Sequence, residues 1–190
     1  MKHAKTLSQA ELKRVLAVVN ANRHAARNRL AVLLSFYAGL RVKEIAALTV
    51  GDVFTATGNV KSIIALTAEQ TKGSKGRNIV FGSKLIDALK LYYVQMQLKP
   101  ANAAKSLLRS QKGAAFSANS LCQLFGHLYA DAGIDGASSH SGRRTFITNL
   151  AHKGVSAKVL MTLAGHSNLS TTQRYIEVND AMLLQAVELA

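Results

Sequence analysis

Residues 163–178, LAGHSNLSTTQRYIEV, set Tyr175 nine positions after His166 and directly after Arg174, in a chain with only five tyrosines. A phenol titrates near pH 10, so it attacks at neutral pH only where positive charge or a base assists it. Upstream, SSHSGRRTFITNL spaces His140 and Arg143 three apart. At a helix start both then face one side, toward the positive end of the helix dipole, which makes an anion site. Arg144 shares that face by spacing, while Phe146 and Leu150 turn to a core, so spacing leaves open which arginine meets the anion. Taken alone, each cation has an ordinary role: Arg41 ends a helix, Lys72 solubilises a turn, His140 caps a helix.

Other chemistries lack their residues. Two-metal cleavage needs clustered carboxylates, and the ten acids here are scattered without a DxD or ExxE pattern. His140 and His166 lack a third ligand at zinc spacing. No Gly-rich loop follows a strand in the phosphate-loop pattern, so no nucleotide cofactor is expected. What remains is metal-free phosphoryl transfer, with cations on the non-bridging oxygens and a side-chain nucleophile attacking in line.

The charge balance points to the same substrate. Lys and Arg number 24 against 10 Asp and Glu, a formal charge of +14, as expected of a polyanion binder. With no apolar run near membrane-spanning length and no leader pattern at Met1, a soluble, cytoplasmic and nucleoid-associated protein is expected. Cys122, the single cysteine, sits at helical spacing among apolar residues and reads as a buried structural thiol.

The elements that must position these residues follow from periodicity. Ser8 and Glu11 form a capping-box pattern ahead of Leu12, Val15, Leu16 and Val19, predicting a helix from about residue 8. Leu30, Leu33, Leu34 and Tyr37 predict a second, stopped by Gly39, so that Arg41 stands at a tight helix-to-helix junction. The β-branched runs VKSIIAL (60–66) and RNIVF (77–81) predict a hairpin whose turn, TKGSKGR, holds Lys72 and Lys75. Further helices are expected over Leu85–Met96, around Leu121–Tyr129, at about 141–153 and 156–164, and from Asp180, with Tyr175 on a short turn. Residues 99–116 read as an exposed loop with a short strand. The expectation is one α+β domain, mostly α-helical, with a small sheet.

Together, GLRVKEIAALTVGDV, TKGSKGR, HSGRRTFITNLAHKG and LAGHSNLSTTQRYIEV resemble the tyrosine recombinase, or phage integrase, family across nearly the whole chain. The resemblance implies that Arg41 and Arg143 clamp the scissile phosphate. It also implies that Lys72 (with Lys75 as the alternative) protonates the leaving 5′ oxygen, that His140 is an acid/base group, that His166 bonds the phosphate, and that Tyr175 forms a 3′-phosphotyrosyl link. Glu44, three after Arg41, either orients that arginine or forms a plain intrahelical pair. Lys43, Lys75, Arg77, Arg144 and Arg174 are expected to contact DNA. No cofactor or metal is implied.

The implied activity is site-specific recombination of double-stranded DNA (integration, excision or inversion) by a homotetramer on two sites, monomeric or weakly associated when free, with accessory DNA-bending proteins and a phage or mobile-element origin. The alternatives are a type IB topoisomerase-like nicking and rejoining enzyme and a non-catalytic DNA-binding regulator. Relatives usually carry an N-terminal core-binding domain, whereas here the catalytic pattern begins by Thr6. This leaves either a short recombinase of the fimbrial-switch type, with residues 1–190 as one catalytic domain, or a piece of a longer integrase. The tail beyond Arg174 has Glu177, Asp180 and Glu188 but no Lys or Arg. Its Leu183, Leu184, Val187 and Leu189 either fold back on their own core or dock on a neighbouring protomer.

Overall fold

The computed structural model describes residues 4–71, 75–176 and 180–188. Lys72, the expected proton donor, and Glu177 and Leu189 of the tail lie outside the described residues. Ser8 opens the first helix: its hydroxyl accepts from the Glu11 N–H while the Glu11 carboxylate accepts from the Ser8 N–H, and α1 runs Gln9–Asn20. The second helix, α2 (Ala25–Ala38), buries Leu30, Ala31, Val32, Leu33, Leu34 and Phe36. A helix apolar on every side has to be covered on every side. Here α1, α5 (Ser83–Gln95) and α7 (Ser141–His152) pack around it.

Gly39 ends α2 in the left-handed conformation, φ 61°, and a Cβ there would overlap the ring of Phe146 on α7. Glycine thus meets both a backbone and a packing demand. The chain turns at once into α3 (Val42–Ala47), with Arg41 as its N-cap residue. After α4 (Val50–Val53), strands β1 (Ile63–Leu66) and β2 (Arg77–Val80) pair antiparallel, Ile64 opposite Ile79 and Leu66 opposite Arg77. Ile64, Leu66 and Ile79 are buried, as period-two alternation requires. α6 (Ala118–Asp131) adds Leu121, Phe125, Leu128 and Tyr129 to the core. The chain ends through α8 (Ala157–Ala164), α9 (Leu169–Gln173) and α10 (Asp180–Val187).

The expected α+β, mostly helical class is what the structure shows. Three details differ. α4 and α9, four and five residues long, were not expected, because so short a segment does not display a helical period. No strand forms among residues 99–116: one 3₁₀ turn (Pro100–Asn102) and isolated bridges from Ser106 to Thr49 and from Arg109 to Ala115 stand in its place. Buried Leu107 and Leu108 anchor this segment. Cys122 is half-buried, packed against the core with its thiol near the Ser139 hydroxyl.

The described apolar side chains of the last helix are not covered within the chain. Leu183, Leu184 and Val187 are 55%, 68% and 72% exposed, against the reading that they fold back on their own core. No described helix is long and apolar enough to cross a membrane.

Candidate active site

The Gly39–Arg41 corner aims Arg41 from the end of α2 toward the loop after α8. Its Nη1 donates to Glu44 Oε1 (2.9 Å) and its Nη2 to the Gly165 carbonyl (3.1 Å). Glu44 is wholly buried. It accepts further bonds from the Arg41 backbone N–H, 2.7 Å, and from Arg77 Nε and Nη2 at 3.0 and 2.8 Å. The pairing is therefore both an i,i+3 contact and a bridge to the hairpin, so neither simple reading of Glu44 is sufficient alone.

Arg143 enters from the first turn of α7 and is 5% exposed. Its guanidinium donates to the Gly39 carbonyl at 2.6 Å and to the Ala164 carbonyl, bridging the two loops that flank the cleft. Of the RR pair, Arg143 is thus the one that turns inward between these two loops. Arg144 instead lies over the Tyr175 ring, 5.4 Å from its centroid. Gly165, at φ 59°, ends α8 and leads into His166, whose Nδ1 is 2.9 Å from the Thr172 hydroxyl of α9. The imidazole stacks on Tyr175 with centroids 5.8 Å apart and planes 24° apart. The nine-residue spacing is thus one short helix and a turn that fold the phenol back onto the histidine. Arg41, Lys75, Arg77, Gly165 and His166 line a cleft of about 380 Å³.

The site is electrostatically loaded. Arg41, Arg77 and Arg143 meet a single ion-pairing carboxylate, Glu44, among the described residues. Burial, followed by the charges of Arg41 and Arg77, lowers Arg143 to about 9. Burial would raise the Glu44 carboxyl, but bonding and charge from Arg77 and Arg41 hold it below its ordinary value. Burial, then Arg143, Arg41 and Arg77, lower His166 from 6.5 to about 4, so at neutral pH its imidazole is uncharged. Such surplus positive charge suits an incoming anion.

A stability consequence follows. The folded pKa of His166 lies below the unfolded one, so the unfolded chain takes up the proton first as pH falls. The stability of the neutral ring is present above pH 6.5 and is lost down through about 4. His166→Gln is expected to flatten the decline of melting temperature across that window. Parallel decline in wild type and variant contradicts it.

Of the expected site residues, Arg41, Arg143, His166 and Tyr175 converge, with Glu44 behind Arg41. His140 is exposed at the N-cap of α7, one turn from Arg143. Of the expected DNA contacts, Lys75 and Arg174 are exposed, and exposed Lys43 donates to the Thr71 carbonyl at 2.7 Å. Arg77 lines the cleft with a side chain 9% exposed that bonds Glu44 and the Leu163 carbonyl, and Arg144 is half-buried over Tyr175. Thr172 was not foreseen, since a hydroxyl six residues from a histidine carries no sequence signal. Among the described residues, no group of three or more His, Cys, Asp or Glu could hold a metal ion.

The described family "Phage integrase family" matches residues 5–182. The chain is 32% identical over 189 residues to tyrosine recombinase XerA of Thermococcus kodakarensis, covering 98% of this chain and 62% of the relative. It is 32% identical over 185 residues to tyrosine recombinase XerD of Pseudomonas putida, covering 95% and 60%. The chain therefore spans less than two thirds of the length of these relatives. Among solved structures, XerA recombinase superposes with a TM-score of 0.74 at 24% identity, covering 99% of this chain and 66% of that one. The Tn1549 transposon integrase in complex with a circular intermediate DNA gives 0.76 at 20%, covering 100% and 67%. These two likenesses show the fold. With the family match running from residue 5 to residue 182, and with a tyrosine recombinase 32% identical over 98% of this chain, the chain belongs to the phage integrase family of tyrosine recombinases.

Proposed function

We propose that this chain is the catalytic part of a site-specific DNA recombinase that breaks and rejoins strands through a 3′-phosphotyrosyl intermediate. The observation that carries the reading is the convergence of Arg41, Arg143 and Tyr175, from three separate elements, on the 164–166 loop. Arg41 and Arg143 hold the non-bridging oxygens of the scissile phosphate and stabilise the charge that grows there. The Tyr175 oxygen attacks phosphorus in line and gives up its proton, with His140 as the acceptor. The bond from phosphorus to the 5′ oxygen breaks, and Lys72, or Lys75 in its stead, protonates the leaving oxygen. One phosphodiester replaces another of similar energy, so attack by a 5′ hydroxyl reverses the step without a nucleotide cofactor. His166, its imidazole uncharged at neutral pH, offers its remaining ring nitrogen to the phosphate.

The test is to mix the chain with genomic fragments in EDTA, denature, and sequence whatever DNA stays attached to protein. Recovery of a common sequence joined through its 3′ end supports the reading. Adducts that form only with Mg²⁺ contradict it.

The assembly belongs to the same reading: four subunits on two DNA sites, joined cyclically by α10 of each docking on its neighbour. Its support is the exposure of Leu183, Leu184 and Val187 on an element with no basic residue. Such contacts are heterologous and close into a ring, so one interface can couple neighbouring active sites. Deleting residues 180–190 is expected to leave a folded chain that binds one site but forms no two-site complex in gel-shift titration. Normal strand exchange by the truncated chain, or its unfolding, sinks the docking model.

A further inference from the structure

Arg77 opens β2, lines the cleft beside Arg41, and has no place in the chemistry above. Its side chain is 9% exposed, and among the described residues it bonds two neighbours, Glu44 and Leu163. Nε and Nη2 grip the two oxygens of Glu44 at 3.0 and 2.8 Å, and Nη1 donates to the Leu163 carbonyl at 2.8 Å. Gly165 makes room for it, since a Cβ there would overlap the aliphatic part of Arg77.

The buried Glu44 carboxylate offers about four acceptor positions. Arg77 fills two, and Arg41 fills two with its backbone N–H and Nη1. Without Arg77, the vacated positions would draw in the Arg41 guanidinium, the remaining donor at hand, and its charge would be neutralised one for one. With Arg77 present, two cations share one anion and the group keeps a net positive charge. Arg77 also braces the other support of Arg41, because Leu163 lies two residues before Gly165, whose carbonyl accepts from Arg41 Nη2. The field of Arg77 is felt at Arg143 and His166 as well.

We propose that Arg77 is a positioning residue for strand cleavage: through Glu44 and the 163–165 loop it fixes the Arg41 guanidinium and leaves its charge free for the scissile phosphate, without touching DNA itself. The inference rests on the recombinase reading. It assigns the last residue of TKGSKGR a task distinct from that of the lysines in the same turn.

The test is single-turnover adduct formation on a nicked duplex site, alongside duplex-binding titrations and thermal melts. Arg77→Leu is expected to slow adduct formation by about 10²-fold, on the scale of losing one transition-state donor, with DNA affinity within about twofold of wild type. Arg77→Lys keeps the charge but not the two-point grip, so a loss of about 10-fold is expected. In an Arg41→Ala background, Arg77→Leu should cost less than about threefold more, because its effect runs through a guanidinium already removed. Full additivity, DNA affinity falling in step with rate, or full activity in Arg77→Lys overturns the proposal. Should Arg77→Leu fail to fold, Arg77→Lys with and without Arg41→Ala decides alone. Absence of any adduct from the wild-type chain defeats the recombinase reading and the inference with it; normal wild-type adduct with unaffected Arg77 variants defeats the inference only.

Discussion

Tyr175→Phe is expected to abolish covalent attachment to DNA while leaving duplex binding unchanged. The substitution removes one oxygen and no charge. The phenyl ring keeps its stack on His166 and its place under the Arg144 guanidinium, so the cleft retains its shape and its cations. What disappears is the atom that forms the bond to phosphorus. Water, unpositioned and without the covalent route, is a poor substitute, and a loss of at least about 10⁴-fold is anticipated, in the range found when a covalent nucleophile is removed. Adduct bands on denaturing gels and gel-shift titrations of the same samples give the two readouts. A surviving adduct moves the nucleophile elsewhere. A parallel loss of binding makes Tyr175 a packing residue.

The second large effect separates two adjacent arginines. Arg143→Ala is expected to lower cleavage by about 10² to 10³, the scale of removing a preorganised donor from a developing anion. Arg144→Ala, which loses only the cation above the Tyr175 ring, should cost less than about 10-fold, in keeping with the modest energy of a cation–π contact at a partly exposed site. Arg143→Lys should not rescue. The guanidinium spans the Gly39 and Ala164 carbonyls at once, and an ammonium, one point of charge on a flexible stem, cannot hold both and still reach a phosphate. Cleavage rates of the three variants on one nicked substrate settle the order. A larger loss at Arg144 than at Arg143 would reverse the assignment.

Sequence and structure divided the labour along a physical line. Local rules read well because they act over a few residues. The Ser8–Glu11 capping box, the stop at Gly39 and the alternation of Ile64, Leu66 and Ile79 each appear where their patterns placed them. The cation inventory was equally plain, since charge and residue type need no geometry. Helices too short to show a period, α4 and α9, escaped, although α9 is the element that bends Tyr175 back toward His166.

By itself the sequence determined the helical class, the excess of positive charge and the set of residues able to do phosphoryl chemistry. Tertiary structure alone decided how they are placed. His140, Arg143 and Arg144 share one helical face by spacing, yet Arg143 turns inward because the carbonyls of Gly39 and Ala164, 104 and 21 residues away, wait there to accept its donors. By sequence Arg77 reads as one more DNA-contacting cation in a basic turn. Its guanidinium is held on Glu44, 33 residues earlier, whose buried charge needs a partner. A buried charge is tolerated only beside its partners, and which partners meet is set by how the chain folds back on itself, information that no local spacing contains.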